Sequence, residues 1–227
     1  MQNKQPAVLI CIYTCESHKP FHAEFHESRI GKYLDTFTNA RQIYVSANPE
    51  LSTPRLDMDQ LTVNTVESYS NLCQKTFKMI RYCAERIPFD YLVKMDVTSG
   101  IESMNLNPEI VNRVSNQQVM INYLKEIKNF NVDDMNSDYT GWRRITANRD
   151  GVERWAKLKD VKINYVKMLG EGVTLTYYSG KCYTISRRFA KYIGKYGDDL
   201  TRKHTRYLPS EDMLIGRLYE GFSKSLS

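Results

Sequence analysis

The sequence holds no apolar run long enough to cross a bilayer. Its longest, AVLICIY at 7–13, falls far short of the roughly 20 residues a membrane helix needs. The same run lacks a flanking cleavage pattern, so it reads as a buried strand and not as a signal peptide. No Asn opens an N-x-S/T sequon, which argues against passage through a secretory lumen. The cysteines, Cys11, Cys15, Cys73, Cys83 and Cys182, are odd in number and show no C-x-x-C spacing. Neither a zinc site nor a redox pair is indicated, and a reducing, cytoplasmic compartment is the simpler expectation; the alternative is a soluble catalytic domain cut from a longer chain. There is no run of five like charges and no stripe of Lys/Arg interleaved with aromatics, which disfavours nucleic acid as a partner. Internal repeats and low-complexity linkers are also missing.

What is present suits one globular domain. The chain has 227 residues, 41% hydrophobic and 26% charged, enough for a full α/β core and short for two domains. A net charge of +6 fits a polyanion as small as a nucleotide diphosphate, and also plain solubility. The 16 tyrosines suggest flat, hydrogen-bonding surfaces lining a groove.

Along the chain, AVLICIY and RQIYVSA (41–47) read as strands separated by a helical segment, KPFHAEFHESRIGKYL. Tyr69, Leu72, Cys73, Thr76, Ile80, Cys83, Ala84 and Ile87 recur at three- and four-residue steps, an amphipathic helix closing before Pro88. The strand FDYLVKM follows at once. Strand, helix and strand in short succession imply a mostly parallel sheet flanked by helices, so Asp96 emerges at the edge where such sheets collect ligands. Within 101–175, QVMINYL suggests a strand and NFNVDDMNSDYTGWRRITANRDG suggests loops, placed here on the acceptor side. CYTIS reads as a short strand, Ser186 as the N-cap of RRFAKYIGKYG, and Ser210 as the cap of EDMLIGRLYEGF, whose Leu214, Ile215, Leu218, Tyr219 and Phe222 form one stripe. The expected division is about 1–100 for a nucleotide-binding half and about 101–227 for an acceptor-binding half.

Each candidate has a plain structural reading beside the chemical one. Asp96 is a turn cap or a ligand for a phosphate, ribose or metal. Glu211 and Asp212, opening a helix, complement its dipole or act as bases. Lys75 is a solvated helix charge or a partner for Asp96 or a diphosphate; Arg29 is a surface side chain or a bidentate phosphate ligand. His18, His22 and His26 recur every four residues without an acid or Cys to complete a metal shell, and read as a helix face. His204 is the one histidine to test as a metal or substrate ligand.

Three stretches then act together: ESYSNLCQKT (67–76), YLVKMDVT (91–98), and YYSGKCYTIS with LPSEDMLIGRLY (177–186 and 208–219). Their order and character resemble glycosyltransferase family 31, the β-1,3-galactosyltransferase and Fringe-like enzymes of GT-A fold. Glu67, Ser68, Tyr69, Asn71, Leu72, Lys75 and Thr76 match the family's helix pattern, while Ser179, Gly180, Tyr183, Ser186, Glu211 and Asp212 match its second half. The resemblance spans roughly residues 7–222. It implies a GT-A-like, Rossmann-like fold and transfer of a sugar from a nucleotide-sugar donor, expected to be a UDP-sugar, to a glycan hydroxyl. It implies inversion, with Asp212 as general base and Glu211 beside it. Tyr13 and Thr14 would hold the base by stacking and backbone hydrogen bonds, and Arg29, Lys75, Lys94, Asp96 and Thr98 would face the donor. Ser179, Gly180 and Lys181 would face the acceptor. The family's acidic triplet falls on Asp96, Val97 and Thr98, so only its first acid remains. Mn²⁺ or Mg²⁺ would be held weakly by Asp96, water and diphosphate, or basic residues would stand in for it. That reduced triplet also motivates an alternative: a non-catalytic nucleotide- or carbohydrate-binding protein on the same fold.

Overall fold

A computed structural model describes residues 7–99, 113–129, 138–158, 174–204 and 210–226. Its centre is a seven-stranded sheet. In chain order the strands are β1 (Val8–Tyr13), β2 (Ala40–Ala47), β3 (Arg55–Asp57), β4 (Gln60–Val63), β5 (Tyr91–Asp96), β6 (Tyr139–Gly141) and β9 (Cys182–Ser186), in spatial order β3-β4-β2-β1-β5-β9-β6. Strands β4, β2, β1 and β5 run parallel, β3 and β9 run against them, and β6 returns to the common direction. The sheet is therefore mostly parallel, as the strand-helix-strand pattern requires. Strands β7 (Arg144–Ala147) and β8 (Leu175–Tyr178) form a separate antiparallel pair.

β1 is buried at every position, which explains its unbroken apolar sequence: a central parallel strand is covered on both faces. Leu9, Cys11 and Tyr13 point into a core with Phe77, Ile80, Leu214 and Ile215. Val8, Ile10 and Ile12 point the other way, against Phe25, Ile30, Leu34 and Leu124. Helix α3 (Leu72–Arg86) and helix α6 (Arg187–His204) pack on each other, and α3 also meets α7 (Glu211–Leu226). The second face is covered by α1 (His22–Glu27), α2 (Arg29–Leu34) and α4 (Arg113–Lys128). The expected helix at 19–34 is broken into a 3-10 turn and two short helices at Ser28, whose Oγ accepts from the Gly31 amide.

Two expectations for the middle of the chain are corrected. QVMINYL is not a strand but lies inside α4, with Met120, Leu124 and Ile127 buried. An apolar cluster of that length satisfies both periods, and the extension to Ile127 at helical spacing decides it. The polar stretch assigned to loops contains β6, β7 and the start of α5 (Arg149–Leu158). Tertiary burial overrides its composition: Tyr139 is in the core, and Asp138 is held by Arg188 and Ser186. The remaining acceptor-side loops of 101–175, and the side chain of His204, lie outside the described residues.

Candidate active site

The site grows from the carboxyl ends of β1 and β5. In register, Cys11 lies beside Lys94 and Tyr13 beside Asp96, while Lys94 pairs across to Tyr183 of antiparallel β9. The two-residue period places Lys94 and Asp96 on the face covered by α3 and α7. A cavity of about 330 Å³ opens there, lined by Tyr13, Thr14, Cys15 and His18 from the β1 end, Glu67, Ser68, Leu72 and Lys75 before and within α3, and Asp96 and Thr98 from the β5 end. A more open groove of about 630 Å³ lies elsewhere, along β2 to β4. Its Arg55 pairs with Asp57, and it holds none of the family-matched residues.

Two buried lysines flank the ring of Tyr13, with Nζ of Lys75 5.1 Å and Nζ of Lys94 4.5 Å from its centroid. Lys75 donates to the Thr14 carbonyl at 2.6 Å and to both Glu67 oxygens at 2.8 Å. Burial pushes its ammonium below the ordinary value, and Glu67 partly restores it. Lys94, 1% exposed, donates to Asp96 Oδ1 at 2.7 Å and to the Gly180 carbonyl, and pairs with Glu211 Oε1 at 3.0 Å. Burial alone would lower it, but Asp96 and Glu211 outweigh that and hold it above the usual lysine value.

Glu211 is 2% exposed. Its Oε2 accepts from the Thr76 hydroxyl at 2.9 Å and the Tyr183 hydroxyl at 3.0 Å. Burial raises its proton affinity, with Lys94 opposing. Asp212 is only half-buried. Its Oδ2 accepts from the Gly180 amide at 3.0 Å, and its Oδ1 from the Met213 amide at 2.9 Å and the Ser210 hydroxyl. Desolvation raises its proton affinity, against those donors. A carboxylate has about four lone-pair sites, so among the described residues one stays open on Asp212, whereas Glu211 has no surface from which to meet a substrate.

The structure brings together most, though not all, of the residues singled out by sequence. Asp96, Thr98, Lys75, Tyr13 and Thr14 share the cavity wall, and the Ser179–Lys181 turn joins it to Asp212: the Lys181 carbonyl accepts from the Asp96 amide at 3.0 Å. The base-holding expectation for Tyr13 and Thr14 needs correction. Tyr13 is 4% exposed with its hydroxyl on Thr76, leaving no ring face for stacking. The Thr14 amide donates to Val45, its carbonyl accepts from Lys75, and its hydroxyl contacts His22 at 2.7 Å. Lys94 is likewise inside the protein and not at the donor surface. Arg29 stands apart on α2, donating to Gln118 at 2.5 Å, and does not line the cavity. Ser210 does not cap α7 through its side chain, whose hydroxyl turns to Asp212; its carbonyl takes the Leu214 amide. His22 stacks on Tyr44 at 4.2 Å and His26 meets the Tyr44 hydroxyl at 2.6 Å, so two of the three histidines are partnered, while Nδ1 of His18 is buried with no hydrogen-bond partner among the described residues. Sequence reasoning gave no role to Glu67, Thr76 or Tyr183. All three stand in the matched motifs, but nothing in a Glu, Thr or Tyr alone says which carboxylate or ammonium it will meet.

A divalent ion fits the described residues poorly. Asp96 has one oxygen committed to Lys94, Thr98 is a weak neutral donor, and among the described residues no three His, Cys, Asp or Glu side chains cluster to hold a metal. Hard divalent cations favour several oxygen ligands.

A mostly parallel α/β sheet with a cavity at its strand ends and a half-buried carboxylate across a glycine turn is a GT-A-like arrangement, and a family match assigns it to the glycosyltransferase class. The galactosyltransferase family model matches residues 51–223. The chain belongs to that family, of the family 31 type, as the resemblance of its motifs implied. Among curated proteins no match was found.

Proposed function

We propose that the protein transfers a hexose from a UDP-sugar to a hydroxyl of a glycan acceptor, with inversion and with Asp212 as general base. The observation that carries this reading is the continuity of the strand-end cavity at Asp96 with Asp212 through one turn, Ser179–Lys181. The donor diphosphate lies in the cavity beside Asp96 and Thr98, and the acceptor approaches over Ser179, Gly180 and the exposed Lys181. The acceptor oxygen attacks the anomeric carbon as that carbon's bond to the diphosphate oxygen breaks. The hydroxyl proton passes to the open lone pair of Asp212, and UDP departs with the electron pair of the broken bond. Raised proton affinity on Asp212 favours that transfer. The five free thiols accord with a reducing compartment.

The test is UDP release from UDP-galactose across a panel of β-linked glycan acceptors, beside UDP binding by calorimetry. Acceptor-dependent release supports transfer. The missing acids of the triplet favour a second reading, a binding protein without turnover, and UDP binding with no release for any acceptor or UDP-sugar would establish it.

A further inference from the structure

Gly180 is held at both ends of its two soft torsions. Its amide donates to Asp212 Oδ2 at 3.0 Å, and its carbonyl accepts from Lys94 Nζ. Lys94 has three donors, and three oxygens surround it: Asp96 Oδ1, Gly180 O and Glu211 Oε1. Two of these donors are hydrogen-bonded, to Asp96 and Gly180, while Glu211 Oε1 meets the ammonium as an ion pair and has no hydrogen-bond partner among the described residues. Glu211 is in turn fixed from α3 by Thr76 and from β9 by Tyr183. A Cβ at position 180 would stand 2.8 Å from Glu211 Oε1 and 3.4 Å from Asp212 Oδ2, so the absence of a side chain is what lets this turn close on both carboxylates.

We infer that Lys94 is a positioning residue for Asp212, acting through the Gly180 backbone, and that Glu211 holds its ammonium in place. The inference rests on the reading of Asp212 as the base. It moves Lys94 from the donor surface and Glu211 from the chemistry to a shared support, linking the donor-side carboxylate Asp96 to the acceptor-side carboxylate Asp212. A base displaced by a fraction of an ångström loses rate without losing substrate, because alignment contributes to the transition state and not to ground-state binding.

Lys94→Met would leave two carboxylates without their cation and risks the fold, so Glu211→Gln and Gly180→Ala carry the test. Each is made alone and in an Asp212→Asn background, with melting temperature, UDP binding and UDP-galactose turnover measured on one preparation. Both single variants are expected to stay folded and bind UDP within about twofold of wild type, while kcat falls about tenfold or more and KM changes little. In the Asp212→Asn background the same changes should lower kcat by no more than about twofold, since residues acting through one group are not additive. Unchanged kcat in both single variants, or full additive losses in the Asp212→Asn background, would overturn the positioning role. Failure of the base assignment appears separately, as wild-type turnover in Asp212→Asn alone.

Discussion

The amide of Gly180 donates to Oδ2 of Asp212 at 3.0 Å, tying the turn after β8 to the first turn of α7. Asp212 also serves its own helix, accepting from the Met213 amide, so the proposed base is at the same time a helix-capping group. Asp212→Asn separates them. The amide keeps the size and one acceptor oxygen but cannot take a proton, and its NH₂ must face either the Gly180 amide or the Met213 amide. Turnover of UDP-galactose should fall on the order of 10²-fold or more, with a stability loss of about 1–3 kcal/mol from the backbone donor left unpaired. Single-turnover transfer and thermal melting check this; a normal rate with that loss of stability would confine Asp212 to the helix.

The Glu67–Lys75 pair should be energetically lopsided. Lys75 is buried, Glu67 partly exposed, and Glu67 Oε2 also accepts from the Ala47 amide at 2.8 Å. Glu67→Gln leaves a buried ammonium with little more than the Thr14 carbonyl, at a cost of about 1–3 kcal/mol. Adding Lys75→Met should recover part of that loss, because the stranded charge is gone. Urea titrations of the two single variants and the double variant measure the coupling. Strict additivity would mean the two side chains do not depend on each other.

Metal dependence should be weak. UDP affinity in Mn²⁺ and in chelator is expected to agree within about tenfold, or 1.4 kcal/mol, because Asp96 has one oxygen on Lys94. Thr98→Asp should introduce a stronger Mn²⁺ dependence by supplying a second hard ligand at the cavity wall. Calorimetry of UDP under the two conditions is the measurement, and loss of wild-type binding in chelator would contradict the argument.

Alkali should unfold the protein through its buried phenols. Burial raises the hydroxyls of Tyr13, Tyr123, Tyr139 and Tyr183 well above the ordinary value. The folded state thus keeps protons that the unfolded chain releases near pH 10. Stability from these groups is present below about pH 10 and is lost as pH rises towards their folded values; the raised Lys94 acts in the same direction above about pH 10.4. Tyrosinate absorbance and circular dichroism, followed together, should show these four phenols ionising with unfolding. Ionisation of all 16 tyrosines in a protein still native by dichroism would refute it.

Much of the frame was legible because its signals are local. The unbroken apolar β1, the three- and four-residue spacing in α3 and the strand ending at Asp96 each follow from neighbours in sequence. The stripe of α7 was equally plain. QVMINYL was misread because a short, largely apolar segment fits either period, and the spacing on to Ile127, which packs with Leu124 beside Ile10 and Ile12, is what marks it as helix. Tyr13 and Thr14 were placed at the correct strand end, yet their orientation depends on Thr76, Lys75 and Val45, which approach from elsewhere in the chain.

The sequence by itself determined β1, β2, α3 and β5 and the closing β9, α6 and α7, the acid at the end of β5 and the glycine beside Ser179, since these rest on composition and spacing along a continuous segment. Only the tertiary structure decided that Lys94, though charged, lies inside; that Glu211 is sealed by Thr76 and Tyr183 while its neighbour Asp212 remains half-exposed; and that the Gly180 backbone joins the two sides. The reason is physical: a buried charge is tolerated only where opposite charges and hydrogen-bond partners converge on it, and those partners come from β5, β9, α3 and α7, whose meeting no local pattern records.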